Sequence, residues 1–338
     1  MSNFDMIKEL SEAFGPTGLE DEVTKIIYDK LSVVCDSCGY SSLGGVWGKI
    51  NGSDSSRPAK LIGCGIDEVA FMVGDIDDNG FIRPKKLTKY NAGSVCAKRV
   101  IVGNENVKLH GIMSAKVLHL ASGGDRENPN VEKCFIDLGF EKKDDLKDKI
   151  EKGDFIAFEQ ELSTFGKDKL AGKSLSNRVA ASLMIEFAES LKNNGIVPSC
   201  DLIFFFAVKE KVGMSDMFYA MQKFTPEIAL ILSALPAINS EKDSNCKIGE
   251  GVVLPTHDGY SLYFGNDTYC DIIKSDIKHQ IPKNIDEGQS SAKSQYSANG
   301  CMMFNVSLPV RNLHTPCEIV SLADIAEMEK AIKYFVEK

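Results

Sequence analysis

The stretch from Gly63 to Phe71, GCGIDEVAF, places Asp67 and Glu68 at the end of an apolar run. Read as a strand, positions 65 and 67 share a face. One carries a carboxylate and the other, Gly65, carries no side chain. A carboxylate in such a place can act as a general base, orient a neighbour or hold a metal. Other apolar runs end on residues that could join it: IFFFAV leads to Glu210-Lys211-Val212-Gly213, IALIL to Ser233, and CMMFNVSL to Arg311 and His314 in PVRNLHTPCE. LSNR at 175–178 adds a helix start bearing Ser176. Each residue also has a plainer explanation. A lone strand-end carboxylate is usually solvated or capping, and a lone His is more often a hydrogen-bonded structural residue than a ligand. His110, His119, His257 and His279 have no companions at ligand spacing, and Ser176 has no nearby His to make it a nucleophile.

These residues need elements to carry them. Ile7, Leu10 and Phe14 recur at helical spacing until GPTG at 15–18 interrupts. Thr17 and Glu20 read as a capping box for a second helix with Val23, Ile26, Ile27 and Leu31 on one face. KLIGCGI is an apolar strand. From 69 to 165 the pattern changes to short strands and turns, with hairpins at VAFMVGDIDDNGFIRPKKL, around Asn79-Gly80, and at RVIVGNENVKLHGIM. A charged helix is expected near KKDDLKDKI. Helices and apolar strands then alternate: helices are expected over Asn177–Leu191, Ser215–Phe224 and about 266–278. A last helix is capped by Ser321, with Asp324 in its first turn. Continuous apolar strands separated by helices imply a sheet covered on both faces. The expected organisation is an α/β domain from 1–68 and 166–338, with 69–165 inserted as a β-rich domain. Ligands of α/β sheets gather beyond the carboxyl ends of the strands, where the residues named above fall.

A length of 338 residues suits two domains. The 43% hydrophobic and 26% charged content suits a soluble globular chain with room for an enzyme-sized core. A net charge of −9 and a pI near 5.2 argue against nucleic acid and anionic membrane as partners. The ten cysteines are dispersed, and the single CxxC, Cys35 and Cys38, has no second pair to complete a zinc site. Free thiols of a reducing, cytoplasmic compartment are expected. The opening MSNFDMIKEL has no apolar core of a signal peptide. No run approaches the roughly 18 apolar residues of a membrane span.

Several segments, in order, resemble the glutamyl and deblocking aminopeptidases, including the tetrahedral assemblies. FGPTGLEDEV resembles their opening. GCGIDEVAFMVGDIDDNGFIRP resembles their AHMDEVGFMV segment and the hairpin that follows. KVLHL, EKCFIDLGFEKKDDLKDKIEKGD, LAGKSLSNRVAA, FFFAVKEKVG, KIGEGVVL and LPVRNLHTPCEIVSLADI continue the match over nearly the whole chain. The resemblance implies a metallopeptidase-like α/β core with an inserted small β-barrel domain. It also implies two divalent metals, a Glu acting as general base on a metal-bridging water, and removal of N-terminal residues from peptides.

Carried over residue by residue, the family's site changes character. Its first His ligand falls on Gly65 and its bridging Asp on Ser176. Its Glu ligand falls on Lys211 and its next Asp ligand on Ser233. Only the last ligand, His314, is kept, together with the base, Glu210, and its supporting Asp, Asp67. Against the family, the substitutions at 176, 211 and 233 shift the formal charge of the site by +4, equal to the charge of two divalent ions. Lys211 is therefore expected near Glu210 or Asp67, with its ammonium in place of metal charge. The expected protein has no metal cofactor. It binds a peptide or small molecule in a cleft lined by Arg311, Lys211, Glu210, Asp67 and His314, or serves as a non-catalytic partner of an active paralogue. The alternatives are an active zinc- or cobalt-dependent aminopeptidase with an unusual site and a metal-free hydrolase. The resemblance also implies a homo-oligomer, a dimer or larger.

Overall fold

The structure is a computed structural model that describes residues 3–115, 130–213, 215–237, 246–257, 262–282 and 290–338. The KVLHL segment and His119 lie outside them. Helices α1 (Asn3–Glu12) and α2 (Asp21–Val34) are followed by strands β1 (Ser37–Tyr40), β2 (Val46–Ile50) and β3 (Lys60–Gly65). The middle of the chain contributes β4 (Ala70–Ile76), β5 (Ile82–Lys86), β6 (Lys98–Gly103), β7 (Lys108–Ala115), β8 (Cys134–Asp137) and β9 (Phe155–Phe158). Next come β10 (Ser163–Phe165), β11 (Lys169–Gly172), α3 (Leu175–Asn193), β12 (Leu202–Ala207), α4 (Ser215–Phe224) and β13 (Ile228–Pro236). The chain ends with β14 (Val252–Val253), α5 (Asp267–Lys274), β15 (His279–Gln280), β16 (Met302–Val310), β17 (Glu318–Ser321) and α6 (Leu322–Glu337).

The main sheet runs β1-β2-β12-β3-β13-β16-β14-β15. Its centre, β12, β3, β13 and β16, is parallel. Alternation along these strands separates two cores. Ile62, Cys64, Phe204, Phe206, Leu230 and Leu232 pack against the face covered by α1, α2, α3 and α6. Leu61, Ile203, Phe205, Ala229 and Ile231 pack with Met217 and Met221 of α4 on the other. Such strands are apolar throughout because both faces are covered.

Strands β4-β5-β8-β7-β6-β9 close into a barrel with its own core, including Phe71, Val73, Val100, Ile136 and Ile156. The hairpin at Asn79-Gly80 joins β4 to β5, with Gly80 at φ 80° and the Asp77 carboxylate taking the Asn79 and Phe81 N–H groups. A separate three-stranded sheet, β10-β11-β17, includes the strand of Glu318. An α/β core with an inserted barrel is thus the observed fold. No described helix is long and apolar enough to cross a membrane.

Two local expectations change. The charged helix near KKDDLKDKI is a single 3₁₀ turn, Lys143–Leu146. The capping box does not form. The Thr17 hydroxyl donates to Asp67 at 2.6 Å, and Glu20 accepts from the Gly18 and Lys209 N–H groups at 2.9 Å each. The helix begins only at Asp21, so Thr17 lies outside its first turn, and each side chain is held by a partner distant in sequence, Asp67 for Thr17 and Lys209 for Glu20.

Candidate active site

The carboxyl ends of β3 and β12 lie side by side, with Gly65 in register with Ala207. Beyond β12, Lys209 turns the chain with φ 58°, and Glu210 and Lys211 follow in a 3₁₀ turn. Beyond β3, Asp67 is fully buried. Ser174, also at φ 58°, leads into α3 and brings Ser176 and Asn177 into its first turn. β17 brings Glu318, and the β16–β17 loop brings His314 at φ 61°.

Asp67 is held on all sides. Oδ2 accepts from Thr17 Oγ1 at 2.6 Å and from the Lys211 N–H at 3.0 Å, while Oδ1 accepts from Asn177 Nδ2 at 3.3 Å. Burial pushes its carboxyl up to about 6; Lys211 pulls it down and Glu210 pushes it up. Asn177 Nδ2 also reaches Glu210 Oε2 at 3.4 Å, so one amide bridges the two acids.

Lys211 is central. Its side chain is 6% exposed and Nζ lies 3.4 Å from Glu210 Oε2. Burial disfavours the ammonium, but Glu210, Asp67 and Glu318 outweigh it and hold the pKa above the ordinary lysine value. The charge is therefore fixed at neutral pH. Glu318, also buried, accepts from the Ser176 N–H at 2.7 Å, Ser176 Oγ at 3.2 Å and the His314 N–H at 2.9 Å. Its carboxyl is pushed up by burial and drawn down by Lys211.

Gly65 fits this arrangement because it lacks a side chain. A Cβ there would lie 2.6 Å from both Cβ and Cγ of Glu210 and 3.2 Å from Asn177 Nδ2. Glu210 thus packs over the position where a side chain would project.

Beside the cluster is a buried pair. Lys173 Nζ lies 2.7 Å from both carboxylate oxygens of Glu68 and 3.0 Å from the Ala13 carbonyl. A small pocket with room for about one water molecule is lined by Glu68, Val69, Phe158, Lys211, Thr315 and Glu318.

The structure brings Asp67, Glu210, Lys211 and Ser176 into one network, with the His314 backbone at its edge. Other expected site residues stand apart. The Ser233 hydroxyl is 2.7 Å from that of Ser307, its register partner on β16. Arg311 forms an antiparallel bridge with Ile319, and its buried Nε has no hydrogen-bond partner among the described residues. Sequence reasoning missed Glu318 and Asn177. An acid four residues after His314 at the head of an apolar strand was the available signal for Glu318.

Comparison with known proteins matches residues 44–331 to the family model described as M42 glutamyl aminopeptidase. FrvX of Escherichia coli (strain K12) is 25% identical over 347 residues, covering 99% of this chain and 95% of that protein. The glutamyl aminopeptidase of Lactococcus lactis subsp. cremoris (strain MG1363) is 23% identical over 344 residues, covering 99% and 96%. The TET aminopeptidase structure from Thaumarchaeota archaeon SCGC AB-539-E09 superposes with a TM-score of 0.92 at 23% identity, covering 100% of this chain and 97% of that one. The TET1 peptidase of Pyrococcus horikoshii, which can assemble into a tetrahedron or a large octahedral shell, superposes at 0.86 with 20% identity over the whole of both chains. At such identities the solved structures speak for the fold. The family match, which spans most of the sequence, settles kinship: the chain belongs to the M42 glutamyl aminopeptidase family.

Proposed function

We propose that this protein keeps the aminopeptidase fold and cleft but binds a peptide or small molecule without dinuclear metallopeptidase chemistry, or acts as a non-catalytic partner of an active paralogue. The observation that carries this reading is the buried Lys211 ammonium beside Glu210, with Asp67 and Glu318 adding to its field. The residues present do not fit two divalent ions. A lysine ammonium is no ligand, and it repels cations at the place where the family has a carboxylate. Ser176 and Ser233 are neutral hydroxyls already engaged with Glu318 and Ser307. Gly65 offers no donor, and Glu210 fills the space beside it. A single retained match, His314, makes a poor site for a divalent ion.

In this reading Glu210 and Asp67 are vestigial as base and support, Lys211, which lines the pocket, contacts the ligand, and Arg311 assists binding from outside the Lys211 network. The α/β unit comprises 1–68 and 166–338, and the inserted unit 69–165. The protein works in the cytoplasm as a homo-oligomer, a dimer or larger; the assemblies named for the P. horikoshii relative support association between copies.

A second reading, an active aminopeptidase holding zinc or cobalt at an unusual site, is favoured by the family match and by the retained Glu210, Asp67 and His314. The deciding experiment is elemental analysis after dialysis against zinc and cobalt, paired with release of N-terminal residues from peptides. Well under one ion per chain and no release are expected. Stoichiometric metal with chelator-sensitive release would replace the first reading by the second. Chelator-insensitive release lost in Glu210→Gln would establish a metal-free hydrolase instead.

A further inference from the structure

The connector from β5 to β6 carries an exposed thiol, Cys96, whose Sγ lies 3.9 Å from the Sγ of Cys134. Cys134 opens β8 and is 1% exposed. All ten cysteines are free thiols, and neither member of this pair belongs to the Lys211 network. The connector touches the chain around Cys134 at more than the sulfurs. Tyr90 OH donates to Asn130 Oδ1 at 3.4 Å and accepts from the Val131 N–H at 3.1 Å. On its other side, the Asn91 N–H donates to the His314 carbonyl at 3.3 Å. The connector therefore joins one member of the thiol pair to the loop of His314 and Thr315.

We propose that Cys96 and Cys134 form an oxidation site, closing to an intramolecular disulfide when met by a low-molecular-weight disulfide and clamping the β5–β6 connector onto β8. A disulfide bond is about 2.05 Å long, so the sulfurs need approach by only about 1.9 Å. Accessibility orders the steps. Cys96, as the thiolate, attacks the S–S bond of the oxidant, forms a mixed disulfide and expels one thiolate. Cys134 then loses its proton and attacks the Cys96 sulfur, expelling the second. Two protein S–H bonds are lost and one S–S bond forms. The oxidant leaves as two thiols, having taken two electrons and two protons. Burial, reinforced by Cys96, pushes the Cys134 thiol up to about 12, which makes it the resolving rather than the attacking group. Closure restrains Tyr90 and Asn91, and through Asn91 it stiffens the His314 loop.

The test treats the full-length protein with millimolar glutathione disulfide. Expected are loss of two of the ten titratable thiols, a Cys96–Cys134 peptide on a non-reducing map, and full recovery with dithiothreitol. Cys134→Ser is expected to stop at a mixed disulfide on Cys96, and Cys96→Ser to keep all of its thiols. Hydrogen exchange at Tyr90 and Asn91 is expected to slow at least several-fold on oxidation. Ten unchanged thiols, a bond between other cysteines, a persistent mixed disulfide in the unsubstituted chain, or a Cys96–Cys134 bond that leaves exchange unchanged would each overturn the proposal.

Discussion

Lys211 engages two acids with different atoms: its ammonium lies 3.4 Å from Glu210 Oε2, while its backbone N–H donates to Asp67 Oδ2 at 3.0 Å. The backbone bond survives any substitution at 211 that preserves the turn; the ammonium does not. Lys211→Met therefore isolates the charge. It leaves Asp67 and Glu318 buried with no neighbouring cation from 211, and removing one partner of a buried ion cluster costs about 3 kcal/mol. Urea unfolding at pH 7.5 is expected to show that loss. Because the orphaned carboxyls accept protons more readily, part of the loss should return at pH 5.5. A Lys211→Met chain as stable as the parent at both values would mean that the ammonium contributes nothing.

Gly65 and Glu210 make a second separable pair. Gly65→Ala pushes a Cβ to 2.6 Å from two carbons of Glu210. Overpacking of this kind costs about 1–3 kcal/mol. Glu210→Ala removes one of the two crowding carbons together with the carboxylate. A double-mutant cycle should then show a favourable coupling of at least about 0.5 kcal/mol. Additive effects would show that Glu210 moves aside without cost.

Glu20 gives a pH signature. Burial raises its carboxyl to about 7, with the Gly18 and Lys209 N–H groups pulling it down and Asp67 pushing it up. Between the ordinary value, 4.5, and about 7 the folded chain holds a proton that the unfolded chain has released. Stability from this group therefore falls as pH rises through that window and stays low above it. Glu20→Gln keeps an oxygen for both N–H donors and removes the titration. The unfolding free energy of the parent should drop more between pH 5 and pH 8 than that of the variant, by about 2 kcal/mol. Equal slopes would place the proton elsewhere.

The Lys173–Glu68 pair is structural in this account. Both side chains are buried, and Glu68 also accepts from the Gly15 N–H at 2.9 Å. Lys173→Met should destabilise the chain by about 3–5 kcal/mol. A Lys173→Met/Glu68→Gln double variant should recover part of that, because a neutral amide still accepts from Gly15. No recovery would show that the packing of Lys173 matters more than its charge.

The amino-acid sequence by itself determined the layers. Apolar runs at β3, β12, β13 and β16 had to be buried on both faces, and alternation around Asn79-Gly80 had to make a hairpin, because period and turn chemistry are local properties. It also determined the chemistry available at Gly65, Ser176, Lys211 and Ser233, because residue identities need no coordinates. Tertiary structure alone decided how those residues are used. Thr17 was a plausible cap until a carboxylate fifty residues away took its hydroxyl. Glu318 and Asn177 were unremarkable in the chain until folding set them against Ser176 and Asp67. Ser233 was expected at a strand end but lies inside β13, which continues to Pro236, and its hydroxyl meets Ser307; Arg311, just past β16, is taken into a bridge with Ile319. Charge and hydrogen-bond partners across long sequence separations depend on ångström-scale placement, and no periodicity in the chain encodes that.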